Sequence, residues 1–245
     1  MNIYIVGIAG KMTAPLAVEL KSLGHQVSGS DQSLIYPPIS TLLKKNKIPV
    51  NNSPISSKID LAIIGSSYKK FSNTRKDYQD IIKLKIPHTS ATKYIAQNIV
   101  KPNSIIVAGS FGKTTITGLL SLILKNANLD PSYLIGDVVL NKIPSLKITN
   151  SIWSIVEGDE SINGLDTKAK FLYYHSLYVI ITSVNWEHTD SYTSLTKNLE
   201  AYKKLIQSIP KNGVLVYNPD DLNLVKLTKF CRAPTITYNK KLTFK

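Results

Sequence analysis

Cysteine, arginine and long apolar segments are all scarce in this sequence of 245 residues. The single cysteine, Cys231, excludes a disulfide within the chain and a metal cluster built from cysteines. No apolar run approaches the roughly 20 residues that a bilayer-spanning helix needs. The first residues carry no basic leader and no small-residue cleavage site, which favours a first strand over a signal peptide. We therefore expect a cytoplasmic protein that has no membrane partner.

Positive charge is in excess, but arginine contributes little of it. The formal net charge is +14, which invites comparison with nucleic-acid-binding proteins. Only Arg75 and Arg232 carry the planar guanidinium on which base recognition and phosphate clamps depend. The lysines are spread along the whole chain. We expect no nucleic-acid partner, and the excess of lysine can instead help to attract anionic substrates.

The first hundred residues alternate strand and helix patterns. Apolar runs at Ile3–Ile8, Gln26–Ser30 and Asp60–Gly65 predict strands, and Thr13 can cap the first helix. Strands separated by helices imply crossover connections and a mostly parallel sheet. The sequence therefore predicts an α/β fold that begins with a Rossmann-like domain over residues 1–100.

A second alternation follows the short linker Lys101-Pro102-Asn103. A strand over Ser104–Ala108 precedes a helix that begins at Lys113 and carries apolar residues at helical spacing. Further strands are predicted at Ile152–Val156, Tyr178–Val184, Gly213–Tyr217 and Thr235–Tyr238, and helices at Ser194–Ile209 and Asp220–Phe230. We predict a second α/β domain over residues 101–245.

The segment Gly109-Ser110-Phe111-Gly112-Lys113-Thr114-Thr115 lies between this strand and this helix, the context that a phosphate-binding loop requires. Glycines let backbone N–H groups turn toward phosphates, and the helix N-terminus adds partial positive charge. Lys113 can reach the terminal phosphates and Thr114 can bind Mg²⁺. Val107 stands where the longer pattern has its first glycine, and a bare Gly-Lys-Thr also suits an ordinary helix start. The flanking elements favour a P-loop-type domain that uses ATP and Mg²⁺.

This shortened loop resembles the Gly-Thr-x-Gly-Lys-Thr-Thr loop of the Mur ligases. Three later segments resemble motifs of that family in the same order: Glu157-Gly158-Asp159-Glu160, Ser183–Asp190 and Asn218-Pro219-Asp220-Asp221. They are similar to its Glu-Ala-Asp-Glu, Asn-Ile-Glu-Phe-Asp-His-x-Asp and Asn-x-Asp-Asp segments. No single match is decisive, whereas four in sequence at compatible spacings indicate a Mur-type ligase.

Carboxylates and a histidine follow the strands of the second domain. Glu157 ends a strand predicted to run beside the phosphate-loop strand, where a carboxylate suits the Mg²⁺ that bridges ATP phosphates. A solvated acidic turn is the alternative. The resemblance implies that the catalytic residues are Lys113, Glu157 and His188, and that the metal ligands are Thr114, Glu157 and His188.

Two departures from the family pattern lie close to His188. Glu187 replaces the family's aspartate and Asn185 its glutamate, which leaves the geometry of the second metal open. Asp159 and Glu160 are assigned no definite role, because acidic clusters after strands are often structural.

The turn Gly7-Ile8-Ala9-Gly10 lies between the first strand and the first helix, where a pyrophosphate can approach the backbone. Asp31 ends the second strand, the usual position of an acid that contacts a ribose. An NAD-dependent oxidoreductase is the alternative, but the motif lacks the third glycine of G-x-G-x-x-G, and such an enzyme needs neither Lys113 nor Thr114. The resemblance implies instead that Gly7, Gly10 and Asp31 bind the UDP part of a UDP-sugar.

The resemblance also implies a reaction and its substrates. Tyr36-Pro37-Pro38-Ile39-Ser40-Thr41-Leu42-Leu43 is similar to a motif of the tripeptide-recycling members, with an ordinary turn and capped helix as the alternative. Such enzymes use ATP to activate UDP-N-acetylmuramate as an acyl-phosphate, which the amine of L-Ala-γ-D-Glu-meso-diaminopimelate then attacks. UDP-N-acetylmuramate–L-alanine ligase activity remains an alternative, as does a non-catalytic P-loop module that only binds nucleotide.

The recognisable motifs end at Asn218–Asp221. No later segment resembles the family's Gly-x-His-Asn motif or its third α/β domain, which binds the incoming amino acid or peptide. We therefore expect a truncated central domain and no turnover by this chain alone. The expected partners are UDP-N-acetylmuramate and a peptide or amino acid, with a separate chain as one possible source of the third domain.

Overall fold

A computed structural model describes residues 1–50, 55–137, 143–186 and 191–238 of the chain. These residues form two compact units. The first consists of Met1–Gln97, Gly136–Lys147 and Asn163–Thr167, and the second of Asn98–Ile135, Ile148–Ile162 and Lys168–Lys245. Each unit combines helices with a parallel sheet, which confirms the predicted α/β fold class.

Four parallel strands make the sheet of the first unit. They are β1 (Asn2–Val6), β2 (Gln26–Ser30), β3 (Leu61–Ile64) and β4 (His88–Ser90), in the order β2-β1-β3-β4. The helices are α1 (Thr13–Ser22), α2 (Ile39–Lys45), α3 (Ser72–Lys83) and α4 (Ala91–Asn98). Because β2 and β3 flank β1 on opposite sides, the strand order reverses beside β1, and parallel sheets bind ligands at such points.

Apolar side chains and one glycine explain the position of β1. Ile3, Ile5 and Val6 are at most 1% exposed, and such an unbroken apolar run is typical of a parallel strand covered on both faces. A Cβ at Gly29 in β2 would meet the carbonyl oxygen of Ile5 and lie 2.9 Å from Cδ1 of Ile8. Only glycine therefore allows β2 to pair with β1 at this register.

Six parallel strands of the second unit lie in the order β11-β10-β9-β5-β8-β6. Their bounds are β5 (Asn103–Ala108), β6 (Ser132–Leu134), β8 (Trp153–Glu157), β9 (Tyr178–Ile181), β10 (Val214–Tyr217) and β11 (Thr235–Thr237). The short strand β7 (Leu146–Lys147) belongs to the first unit, in which it contacts α1. The helices are α5 (Lys113–Asn126), α6 (Leu195–Ser208) and α7 (Leu222–Thr228), with a 3₁₀ helix over Lys170–Tyr173.

Two strands of the second unit differ from the sequence prediction. The strand β6 is not predicted, because a segment of three residues is too short to show a periodic pattern. The predicted strand Tyr178–Val184 ends at Ile181. Beyond that point the carbonyl oxygen of Ser183 accepts a hydrogen bond from the backbone N–H of Ser110, at 3.0 Å, so the segment bonds the loop after β5 instead of continuing the sheet.

The central strand β5 pairs with β8 on one side and with β9 on the other. All three strands run in the same direction, so the segments that follow them share one edge of the sheet.

Within the described part of the chain, no helix is both long enough and apolar enough to cross a bilayer, and α5 and α6 have 14 residues each.

Candidate functional site

The loop between β5 and α5 requires glycine at two positions. Gly109 has a φ of +120°, and Gly112, which precedes the first residue of α5, has a φ of +82°. A Cβ at Gly109 would meet Oγ1 of Thr182 and lie 2.8 Å from the backbone nitrogen of that residue. The loop is therefore packed directly against the segment after β9, and only glycine permits this approach.

Several hydrogen bonds join the loop to the segment after β9. The backbone N–H of Ser110 donates to the carbonyl oxygen of Ser183 at 3.0 Å. The backbone N–H of Asn185 donates to Oγ of Ser110 at 2.8 Å, and Oγ1 of Thr182 donates to the carbonyl oxygen of Phe111 at 2.6 Å. Phe111 is 64% exposed, and Thr115, in the first turn of α5, is also exposed, so these two predicted site residues face solvent.

Lys113, the first residue of α5, is folded over the loop. Its ammonium nitrogen donates to the carbonyl oxygen of Gly109 at 2.5 Å and lies 3.4 Å from Oε2 of Glu160. The side chain of Lys113 is 14% exposed and that of Glu160 is 1% exposed. The ammonium of Lys113 is mostly buried and lies at the N-terminus of α5, a position that suits the binding of anionic oxygen atoms.

Thr114 and Glu157 are brought together although 43 residues separate them in the sequence. The hydroxyl of Thr114 donates to Oε1 of Glu157 at 3.2 Å. Glu157 is the last residue of β8 and lies opposite Val107 of β5. A hydroxyl and a carboxylate supply two oxygen ligands, which fits Mg²⁺ because this ion takes few ligands from protein and completes its octahedron with water and phosphate.

Among the residues that the structure describes, no group of three or more histidine, cysteine, aspartate or glutamate side chains could hold a metal ion. His188 and Glu187 lie outside those residues, so the predicted role of His188 stays a prediction. Of the three predicted metal ligands, Thr114 and Glu157 lie among the described residues, where they contact each other.

Lys170 is a functional candidate that the sequence analysis missed. Its ammonium donates to Oδ2 of Asp159 and to Oγ of Ser161, at 2.7 Å each, and the residue is 7% exposed. Burial raises the pKa of Asp159, but the charge and hydrogen bond of Lys170 and the hydrogen bonds from Ser161 outweigh it and lower that pKa to about 2. No local motif marks Lys170, because its partner lies 11 residues away.

The predicted residues of the first unit also lie together. Gly7 has a φ of +75°, and its backbone N–H donates to the carbonyl oxygen of Ser30 at 2.8 Å. Oδ2 of Asp31 accepts a hydrogen bond from the backbone N–H of Ala9, at 2.6 Å. Thr13 links the two ends of the turn, because its hydroxyl donates to the carbonyl oxygen of Gly7 at 2.6 Å and accepts from the N–H of Gly10 at 3.1 Å. The turn and Asp31 therefore form one hydrogen-bonded unit at the carboxyl ends of β1 and β2.

Comparison with known proteins identifies the family. The model of the Mur ligase middle domain matches residues 107–244, which is more than half of the chain. The chain belongs to the Mur ligase family. The resemblance noted in the sequence is thereby confirmed, and this family consists of ATP-dependent ligases of peptidoglycan synthesis.

Relatives of this Mur ligase chain include two kinds of enzyme. The UDP-N-acetylmuramate--L-alanyl-gamma-D-glutamyl-meso-2,6-diaminoheptandioate ligase of Escherichia coli (strain K12) is 29% identical, over 91% of this chain and 50% of that protein. The UDP-N-acetylmuramate--L-alanine ligase of Wigglesworthia glossinidia brevipalpis is 34% identical, over 97% of this chain and 48% of that protein. The chain thus spans about half the length of these curated relatives.

A solved structure supports the same assignment. The UDP-N-acetylmuramate:L-alanyl-gamma-D-glutamyl-meso-diaminopimelate ligase of Neisseria meningitides is 27% identical and superposes with a TM-score of 0.83. The match covers 96% of this Mur ligase chain and 77% of the other. Most of that solved chain therefore shares its fold with this one.

Proposed function

We propose that this chain provides the nucleotide- and sugar-binding parts of a Mur ligase. Residues 101–245 act as the ATP-binding domain and residues 1–100 as the UDP-sugar-binding domain. The observation that carries the proposal is the contact of Thr114 with Glu157, at 3.2 Å, beside a glycine-dependent loop that holds Lys113. Membership of an ATP-dependent ligase family supports it.

The proposed ATP site assigns a task to each polar group of the loop. Backbone N–H groups of the loop other than that of Ser110, which bonds Ser183, bind phosphate oxygens together with the N-terminus of α5. Lys113 exchanges part of its contact with Glu160 for the terminal phosphate, and Thr114 and Glu157 hold the Mg²⁺ that neutralises phosphate charge. ATP bound in this way supplies a phosphoryl group that activates a carboxylate as an acyl-phosphate.

The first unit is proposed to bind the UDP part of UDP-N-acetylmuramate. The turn at Gly7–Gly10 lets the pyrophosphate approach the backbone beside the N-terminus of α1, and Asp31, which fixes the turn, lies at the strand end where an acid usually contacts a ribose. The relatives act on UDP-N-acetylmuramate according to their names, which favours a UDP-sugar over a nicotinamide cofactor.

The proposed acceptor is the tripeptide L-Ala-γ-D-Glu-meso-diaminopimelate, whose amine attacks the acyl-phosphate. The tripeptide ligases of Escherichia coli and Neisseria meningitides support this choice, as does the segment Tyr36–Leu43. L-Alanine is the second candidate, because L-alanine ligases also match nearly the whole chain.

A binding experiment with two lysine variants tests the proposed ATP site. Isothermal titration with Mg·ATP is expected to show binding by the wild type and none by Lys113→Ala. Lys125→Ala is the matched control, because Lys125 lies in the last turn of the same helix, away from the loop, and is exposed. Equal affinities of the wild type and Lys113→Ala would refute the site.

A thermal-shift experiment separates the candidate functions. UDP-N-acetylmuramate and Mg·ATP are each expected to raise the melting temperature. Stabilisation by NADH without stabilisation by UDP-N-acetylmuramate would instead favour an oxidoreductase, and a response to ATP alone would favour a nucleotide-binding module.

A further inference from the structure

The segment after β8 carries a dense negative charge beside the proposed triphosphate site. Glu157, Asp159 and Glu160 occupy three of four successive positions. Glu157 contacts Thr114, and Glu160 pairs with Lys113. An ionised Asp159 turned toward the loop would repel phosphate, since like charges at short range in a poorly solvated site repel strongly.

The carboxylate of Asp159 is neutralised by a buried lysine, Lys170. The ammonium of Lys170 lies 2.7 Å from Oδ2 of Asp159, with Oγ of Ser161 as a second acceptor at the same distance. An isolated charge as buried as Lys170 is unfavourable, whereas an ion pair with a further hydrogen bond is tolerated. The buried ammonium of Lys170 thus pairs with Asp159, an acid that is given no ligand in the proposed ATP site.

Further hydrogen bonds hold the segment Asp159–Ser161 against the 3₁₀ helix and Tyr192. The backbone N–H of Lys170 donates to the carbonyl oxygen of Ser161, and that of Phe171 to the carbonyl oxygen of Asp159, both at 3.0 Å. The hydroxyl of Tyr192 donates to the carbonyl oxygen of Glu160 at 2.5 Å. With its neighbours on both sides fixed, Glu160 is held with its carboxylate against Lys113.

We propose that Lys170 is a positioning residue of the ATP site: it binds Asp159 away from the phosphate loop and thereby places Glu160 against Lys113. This inference rests on the proposed ATP-binding function. It gives a role to two acids to which the sequence alone assigns none: Asp159 anchors the segment, and Glu160 orients the phosphate-binding lysine.

The test removes the ion pair of Lys170 and Asp159 without leaving a buried unpaired charge. The double variant Lys170→Met/Asp159→Asn lacks both charges and therefore retains the fold, which circular dichroism and the melting temperature check. Lys168→Met is the control, because Lys168 is exposed and lies two residues before Lys170, with its ammonium 4.4 Å from the ring centre of Tyr173. We expect the folded double variant to bind Mg·ATP about 10- to 100-fold more weakly, as for residues that orient a ligating group, and the control to bind like the wild type.

A second readout needs no ATP. Acetylation of lysines by acetic anhydride, followed by mass spectrometry, reports the accessibility of Lys113. We expect Lys113 to react several-fold faster in the double variant than in the wild type and in Lys168→Met, because Glu160 no longer covers it. An unchanged rate for Lys113 together with unchanged ATP affinity would overturn the proposal and leave Lys170 a purely structural residue. If the wild type bound no ATP, the proposed function would fail, and the acetylation rate alone would decide the role of Lys170.

Discussion

Substitution of Gly109 by alanine tests how strongly the phosphate loop depends on its close packing. At a φ of +120°, a non-glycine residue is strained by about 1–3 kcal/mol. The added Cβ would also lie 2.8 Å from the backbone nitrogen of Thr182 and 2.9 Å from that of Ser183. These backbone atoms cannot rotate away as a side chain would, and such overpacking costs about 1–3 kcal/mol more.

Gly112→Ala provides the matched comparison within the same loop. Gly112 also has a positive φ, +82°, but the nearest atom to its added Cβ is Cδ1 of Ile116 at 3.9 Å, an ordinary contact. Only the backbone strain of about 1–2 kcal/mol then applies. Gly109→Ala is therefore expected to lower the free energy of unfolding by about 2–6 kcal/mol, more than Gly112→Ala.

Urea unfolding followed by circular dichroism measures the stability difference, and titration calorimetry measures Mg·ATP affinity. If the loop moves to relieve the overlap in Gly109→Ala, stability recovers but the phosphate-binding geometry is lost, so ATP affinity falls instead. Stability and affinity both equal to those of Gly112→Ala would refute the argument, because one of the two quantities must register the collision with Thr182 and Ser183.

Three further outcomes are expected. Thr114→Val keeps the side-chain volume but removes the hydroxyl that is proposed to bind Mg²⁺, so calorimetry is expected to show Mg²⁺-dependent ATP binding weakened about 10- to 100-fold, and equal affinity would contradict the metal role. Asp31→Asn is expected to reduce the thermal shift caused by UDP-N-acetylmuramate but not that caused by ATP; a loss of both shifts would contradict separate sites. The pKa of Asp159 is lowered to about 2, so its ion pair stabilises the fold above about pH 4 and is lost as the pH falls toward 2. In urea unfolding at pH 5 and pH 2, the wild type is expected to lose about 1–2 kcal/mol more than Asp159→Asn, and equal losses would count against the pairing.

The sequence predicts those parts of the fold and site that depend on neighbouring residues. The strand–loop–helix around Lys113 is visible in the sequence because an apolar strand, two glycines and an amphipathic helix follow one another directly. The adjacency of Glu157 to this loop is also predictable, since parallel strands of one sheet end at the same edge.

Other features depend on contacts that no local pattern records. The pairing of Lys170 with Asp159 requires a 3₁₀ helix to lie against the segment after β8, and neither the helix nor its placement has a sequence signature. The role of Glu160 cannot be predicted from the sequence for the same reason. Asp159 and Glu160 are successive acids, and only the folded chain shows that the first pairs with Lys170 and the second with Lys113.

The hydrogen bonds that join Ser110 to Ser183 and Asn185 have a thermodynamic consequence. A ligand that orders the loop after β5 also restricts the segment after β9, because the two share these bonds. A second ligand that needs this segment in the same conformation then meets a smaller entropic cost. By reciprocity, it raises the affinity of the loop for its own ligand by the same factor. Ligand binding at the loop after β5 and at the segment after β9 is therefore expected to be coupled through these shared hydrogen bonds.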